Sequence, residues 1–168
     1  MARKKKELPL LQSISIEGIA GEGKALTHVN GQVLFVPFAA PGDVCDIQVT
    51  KKKSSFMEGR ITEIITPSPQ RVTPFCSHFT ICGGCKWQHL PYSLQLETKD
   101  QVVRDALCRI GKIDVGTYLP ILGSERTERY RNKLEFTFSH RRWLQPEELS
   151  VLGEKEEQDL SGLGFHLP

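Results

Sequence analysis

The chain has 168 residues, 39% of them hydrophobic, with 22 Lys/Arg against 20 Asp/Glu; that suffices for one ordinary domain or two small ones with a core, and no apolar run approaches bilayer-spanning length. The net charge of +2 hides an asymmetry: residues 1–142 carry 21 Lys/Arg and 14 Asp/Glu, net +7, whereas residues 143–168 carry one Lys and six acids, net −5. A basic body and an acidic tail suit a polyanionic partner for the body, although an excess of this size is also common on solvated surfaces.

Met1-Ala-Arg-Lys-Lys-Lys6 passes straight into polar sequence without the apolar middle of a signal peptide. The chain is therefore expected in the cytoplasm, without a membrane partner, and residues 1–8 are expected to be a flexible basic terminus. Residues 9–66 predict an all-β unit. Ser13-Ile-Ser-Ile-Glu-Gly18 alternates apolar and polar, Gly21-Glu-Gly23 marks a turn, and segments 25–29 and 32–38 flank Asn30-Gly31 as a hairpin. Pro41-Gly-Asp43 makes the next turn, 44–50 alternates again, and 56–65 is the last strand before Pro67 and Pro69. Five short strands in about sixty residues predict a small closed β-barrel of the oligonucleotide-binding type. Lys51, Lys52, Lys53 and Arg60 are its candidate contacts to a nucleic acid strand, weighed against a lysine-rich hairpin tip that only blocks edge pairing. Cys45, inside a predicted strand, is expected to pack in the core.

Thr66-Pro-Ser-Pro69 marks a boundary, and a cysteine-rich loop follows at 74–90. Its centre reads Cys76-Ser-His-Phe-Thr-Ile-Cys82-Gly-Gly-Cys85, which holds three of the five cysteines within ten residues. Clustered thiols, odd in total number, predict reduced sulfur ligands for a metal or an iron–sulfur cluster rather than a disulfide framework. Gly83 and Gly84 are expected to let the backbone turn tightly around the centre. Three thiolates leave a closed site one ligand short, and within the chain His78, His89 and Cys108 compete for the place. The spacing Cys-x5-Cys-x2-Cys lacks the paired knuckles of most zinc ribbons, so zinc and iron–sulfur remain rivals. A dithiol redox site is disfavoured by the third cysteine, and no phosphate loop, Ser/His/Asp set or paired carboxylates stand out.

An amphipathic helix is expected over 91–111, opened by Pro91 and stopped by Gly111, with Leu96, Val103, Leu107 and Ile110 on one face and Cys108 off it. Residues 112–168 predict the start of a small α+β domain. Within it, 129–138 alternates as a strand that projects Arg129, Arg131 and Lys133 together at period two, as a phosphate-tracking or simply exposed face. Lys86, beside the cysteines, joins the candidate nucleic-acid contacts. Residues 147–159 read as an acidic, mobile loop, and order is expected to resume at Leu160.

These residues together resemble a known family. The barrel with its Gly-Glu-Gly and Pro-Gly-Asp turns, then Pro74-x-Cys76-x5-Cys82-Gly-Gly-Cys85-x3-His89, the helix with Gln95 and Lys99, Tyr130-Arg-Asn-Lys133 and Leu163-Gly-Phe165 are similar to the RNA (uracil-5-)-methyltransferases of the ribosomal-RNA-modifying kind. The resemblance implies that the first 65 residues or so form a TRAM domain. It implies that Cys76, Cys82 and Cys85 are three of four ligands to a [4Fe–4S] cluster with a structural, RNA-orienting role, the fourth ligand lying beyond Pro168. It further implies that the S-adenosyl-L-methionine fold, the nucleophilic cysteine and the carboxylate base belong to a C-terminal part not found here. None of the five cysteines is then the nucleophile, and these 168 residues bind RNA, ribosomal RNA in the first instance, without methylating it, with no obligate protein partner. The alternative from another class is a stand-alone zinc-binding RNA-binding module; a protein-interaction domain with an incidental thiol cluster is the third.

Overall fold

A computed structural model describes residues 8–144, 148 and 160–165. The expected basic terminus at 3–6 and nearly all of the acidic stretch 147–159 lie outside the described residues, as does the chain past 165.

Six strands build the principal sheet: β1 (Leu10–Ser15), β2 (Gly18–Ile19), β3 (Lys24–Val29), β4 (Gln32–Pro37), β5 (Val44–Lys52) and β6 (Phe56–Thr66). Their order is β1-β5-β6-β4-β3-β2, antiparallel except for the parallel β4–β6 pair. Burial follows the pleat: Ala25 and Thr27, Leu34 and Val36, and Cys45, Ile47 and Val49 point inward at every second residue and meet Ile16, Ala39 and Met57 in one core. The β3–β4 connection is Asn30-Gly31 with φ of 50° and 77°, both left-handed as a two-residue hairpin turn demands.

The principal sheet contains six strands where sequence periodicity suggests five, because the first run of alternation is broken. Ser13 takes a positive φ of 53°, and the β1–β5 register shifts between Leu11 and Ile14. The Ser13 amide, turned out of the ladder, donates to the Asp46 carboxylate at 2.7 Å. At Ile16 and Glu17 the chain then changes partners. Ile16 N donates to Asp43 O at 2.9 Å and Glu17 N to Leu26 O at 3.1 Å, so the two end strands of the sheet are consecutive pieces of chain joined at a corner. The result is a curled, barrel-like sheet.

Past the sheet come an α-helix, α1 (Tyr92–Arg104), and a π-helical turn over Asp105–Ile110 that ends at Gly111. The helix is where the sequence places it, but its apolar face is not a buried one. Only Thr98 is buried on α1, and Val103 and Ile110 are exposed. The expected strand at 129–138 is also corrected. Only its end forms a strand, β7 (Thr137–Ser139), paired with β8 (Gly162–Gly164), while 129–136 has no regular structure and Arg129 sits at φ 53°. Alternation there marks no sheet face, since no neighbouring strand supplies hydrogen bonds before Thr137. Among the described residues no helix is long and apolar enough to cross a membrane.

Candidate functional site

The Gly21-Glu-Gly23 turn is the platform on which the cysteine loop is mounted. Glu22 and Gly23 adopt φ of 63° and 82°, which directs both carbonyls outward. The Trp87 indole N–H donates to Gly23 O at 3.1 Å, and the Lys86 ammonium donates to Glu22 O at 3.0 Å. A Cβ at Gly23 would lie 2.7 Å from the indole nitrogen, so the position needs glycine both for its backbone and for the contact. On the other side, buried Asp43 ties the linker to the barrel. Its carboxylate accepts from Ala40 N at 2.6 Å, Ser68 N at 2.8 Å and Arg71 Nε and Nη2 at 2.8 and 2.6 Å. Arg71 Nη2 also donates to Phe38 O at 2.9 Å. Burial alone would push the Asp43 carboxyl up, but the guanidinium and the two amides outweigh it and hold the pKa below the ordinary carboxylate value.

Inside the loop, Phe79 reaches back to the barrel. Its ring meets Phe38 edge-on at 5.5 Å and His89 at 5.4 Å. His89 is 2% exposed, and its Nε2 donates to Ala39 O at 3.1 Å, which leaves Nδ1 as a buried acceptor without a partner. The imidazole offered by sequence as a metal ligand is thus a strut between loop and barrel. His78 stays on the surface, 3.4 Å from the Ser77 hydroxyl.

All five cysteines are free thiols. Cys45 is fully buried in the core as expected, and burial pushes its thiol up to about 11. Cys76 and Cys82 are half-buried, and Cys85 and Cys108 are exposed. The Gly84 amide donates to Cys82 Sγ at 3.4 Å, the kind of N–H···S bond that stabilises a thiolate ligand. The left-handed residue of the loop is Thr80, at φ 75°, and neither Gly83 nor Gly84 takes a positive φ. A Cβ at Gly84 would lie 3.4 Å from both Cys82 Sγ and the Phe165 ring, at van der Waals contact with each. The segment after β8 therefore comes to rest against the cysteine loop. In donor chemistry and in this cradle the residues fit a sulfur-ligated group, although among the described residues no three His, Cys, Asp or Glu side chains converge as a metal-holding set.

Between barrel and loop lies a cavity of about 750 Å³. Phe38 and Ile61 from the barrel and Phe79 from the loop provide apolar wall, Cys85 stands at its edge, and Lys24, Arg60, Arg71 and Lys86 face it against the single carboxylate of Glu22. The four cations are differently committed. Lys24 pairs with Glu58 at 3.6 Å, Arg71 with Asp43, and Lys86 with a carbonyl, whereas Arg60 is exposed and has no ion pair or hydrogen bond among the described residues. Of the other sequence candidates, Lys51 and Lys53 lie 5.7 and 5.9 Å over the Phe56 ring beside exposed Lys52. Arg131 donates to Lys133 O, and Lys133 pairs with Glu135 at 3.0 Å. Arg129, Arg131 and Lys133 share no sheet face. Phe38, Phe79 and Arg71 escaped the sequence reading because each looks like an ordinary core or linker residue until the loop docks.

Residues 11–62 match the TRAM domain family. An uncharacterized RNA methyltransferase of Porphyromonas gingivalis is 59% identical over 156 residues, which cover 92% of this chain and 34% of that one. The 23S rRNA (uracil(1939)-C(5))-methyltransferase RlmD of Nitrosococcus oceani is 36% identical over 143 residues, covering 82% of this chain and 32% of that one. Among solved structures, the Pyrococcus abyssi tRNA (uracil-54, C5)-methyltransferase in complex with S-adenosyl-L-homocysteine matches at 30% identity and a TM-score of 0.38, over 62% of this chain and 22% of that one. The chain spans about a third of the length of the curated relatives it matches.

Proposed function

The chain carries a TRAM domain and is homologous to the N-terminal portion of RNA methyltransferases, and from that premise we propose that it is the RNA-gripping, cluster-bearing part of an S-adenosyl-L-methionine-dependent RNA uracil-5-methyltransferase. The observation that carries this reading is the cationic groove walled by the barrel on one side and by the cysteine loop on the other. Chemistry on a base requires the target to leave its stack while the flanking strand is held elsewhere, and a groove of cations and aromatic rings outside the reaction centre can do that holding. Ribosomal RNA is the substrate class we assign, following the RlmD relative.

Cys76, Cys82 and Cys85 would hold a [4Fe–4S] cluster, with the fourth ligand supplied from outside these residues along the path that Phe165 already brings to Gly84. When bound, such a cluster supplies a rigid cross-link between loop and strand, and its binding free energy adds to folding. The residues of this chain keep the loop on the barrel through Trp87, Lys86 and Phe79, and present Arg60 and the lysines of β5 to phosphate. Methyl transfer, with its nucleophile and its S-adenosyl-L-methionine site, we assign to the two thirds of the relatives' length that this chain does not match.

The test is made on the protein purified without oxygen. Iron and acid-labile sulfide with broad visible absorption, lost in Cys82→Ser, are expected; stoichiometric zinc without sulfide would overturn the cluster assignment. Single-stranded ribosomal RNA segments should bind with a steep salt dependence. Changing Lys51, Lys52 and Lys53 to Ala should flatten the slope of log affinity against log salt by about two, at roughly 0.7 per phosphate contact.

A further inference from the structure

We propose that the cavity between the barrel and the cysteine loop is a subsite for one unstacked nucleotide of a single-stranded RNA, its base against Phe79 and a phosphate at Arg60. The proposal rests on the RNA-binding function above and adds to it a location and a ligand unit. At about 750 Å³ the cavity is within the ~300–1,000 Å³ range of sites for molecules of nucleotide size. Its walls combine the two elements that single strands need, aromatic surface for the base and positive charge for the backbone.

The positive charge has one outlet. Lys24, Arg71 and Lys86 are tied to groups of the protein itself, whereas Arg60 stands exposed at the rim without a partner among the described residues. A protein donor fork left open beside an apolar cavity is matched by a phosphate, which accepts in its geometry. The aromatic surface is also placed by design of the loop. Phe79 lies between Cys76 and Cys82 and is propped by Phe38 and His89, so its ring is fixed before any ligand arrives. Thr80 next to it, at φ 75°, is a β-branched residue in a region such residues avoid, and it too lines the cavity. Backbone outliers of that kind mark places where surrounding contacts override local preference.

The test uses the whole chain and single-stranded oligoribonucleotides of mixed sequence carrying 5-iodouridine, with photo-crosslinks mapped by mass spectrometry. Crosslinks are expected on the peptide containing Phe79, and Phe79→Leu, which keeps much of the apolar volume, should abolish them while the far-ultraviolet spectrum still reports the barrel. Arg60→Ala, an exposed site, should weaken binding about fivefold at 0.1 M salt, the worth of one single-strand phosphate contact. Binding with crosslinks confined to the Lys51–Phe56 region, and an affinity indifferent to Arg60→Ala, would overturn the subsite and leave RNA binding standing. No binding of any oligoribonucleotide at low salt would overturn the RNA-binding function and the subsite with it.

Discussion

The imidazole of His89 is buried between Phe79 and the backbone of Ala39, and burial holds its pKa below the ordinary imidazole value, with the Ala39 bond pulling weakly the other way. A ring kept neutral in the fold takes up a proton on unfolding. Stability is then full above about pH 6.5, the unfolded value, and declines as pH falls from there toward the folded pKa, at up to about 1.4 kcal/mol per pH unit. Asp43 works in a lower window. Burial raises its pKa, but Arg71, Ala40 and Ser68 lower it more, so its contribution is present above about pH 4 and is lost as pH falls through the depressed folded value. Urea unfolding measured across pH should therefore show two stages of weakening, one starting near neutrality and one in acid. His89→Gln should remove the upper stage; an unchanged upper stage would mean that another group titrates there.

At the scale of the element, the tight turn before β3 decides how the cysteine loop sits. Gly23→Ala must place a side chain at φ 82° and 2.7 Å from the Trp87 indole nitrogen, so the backbone cost of about 1–2 kcal/mol comes with a displaced indole. The expected result is a red-shifted Trp87 emission in a variant whose far-ultraviolet spectrum still reports the barrel. Emission that stays put would mean that the loop does not depend on this turn. Sequence made the barrel legible because alternation, Asn30-Gly31 and Pro41-Gly42-Asp43 act locally, each within a few residues. It also singled out the cysteine loop as a candidate, because the spacing of Cys76, Cys82 and Cys85 is local too, although among the described residues these side chains do not converge as a metal-holding set. It could not disclose that Phe165, far along the chain, comes to rest against Gly84. It misread 129–136 for a related reason: alternation describes a strand only when another strand is available to pair with it.

Over the whole molecule the stabilising contacts are unevenly distributed. The core cluster is drawn entirely from Ile16 to Met57, whereas Ile110, Leu119, Leu122, Tyr130 and Phe138 are each more than two-thirds exposed. The accessible surface of 13177 Å² compares with roughly 8,300 Å² for a compact monomer of 18.9 kDa by the usual size scaling. Local stability should track this division. Amide exchange is expected to be slowest in β3 to β6 and fastest over 112–136, and limited proteolysis should cut in the latter stretch first. Equal protection in both would show that the second half is covered in solution by contacts absent from the isolated chain.

The corner at Ile16 and Glu17, where one piece of chain serves both ends of the sheet, also sets an order of events in time. β1 finds its partner only in β5, and Gln48 Nε2 reaches back across 40 residues to Leu8 O. A ribosome must have released β5 before β1 has its partner. The β3–β4 hairpin can form early and alone, whereas pairing β1 with β5 closes a long loop and has its entropy to overcome, a cost that slows folding. During that interval β1 is an unpaired edge, and a nascent chain stalled before residue 44 would present it to any neighbour able to add a strand.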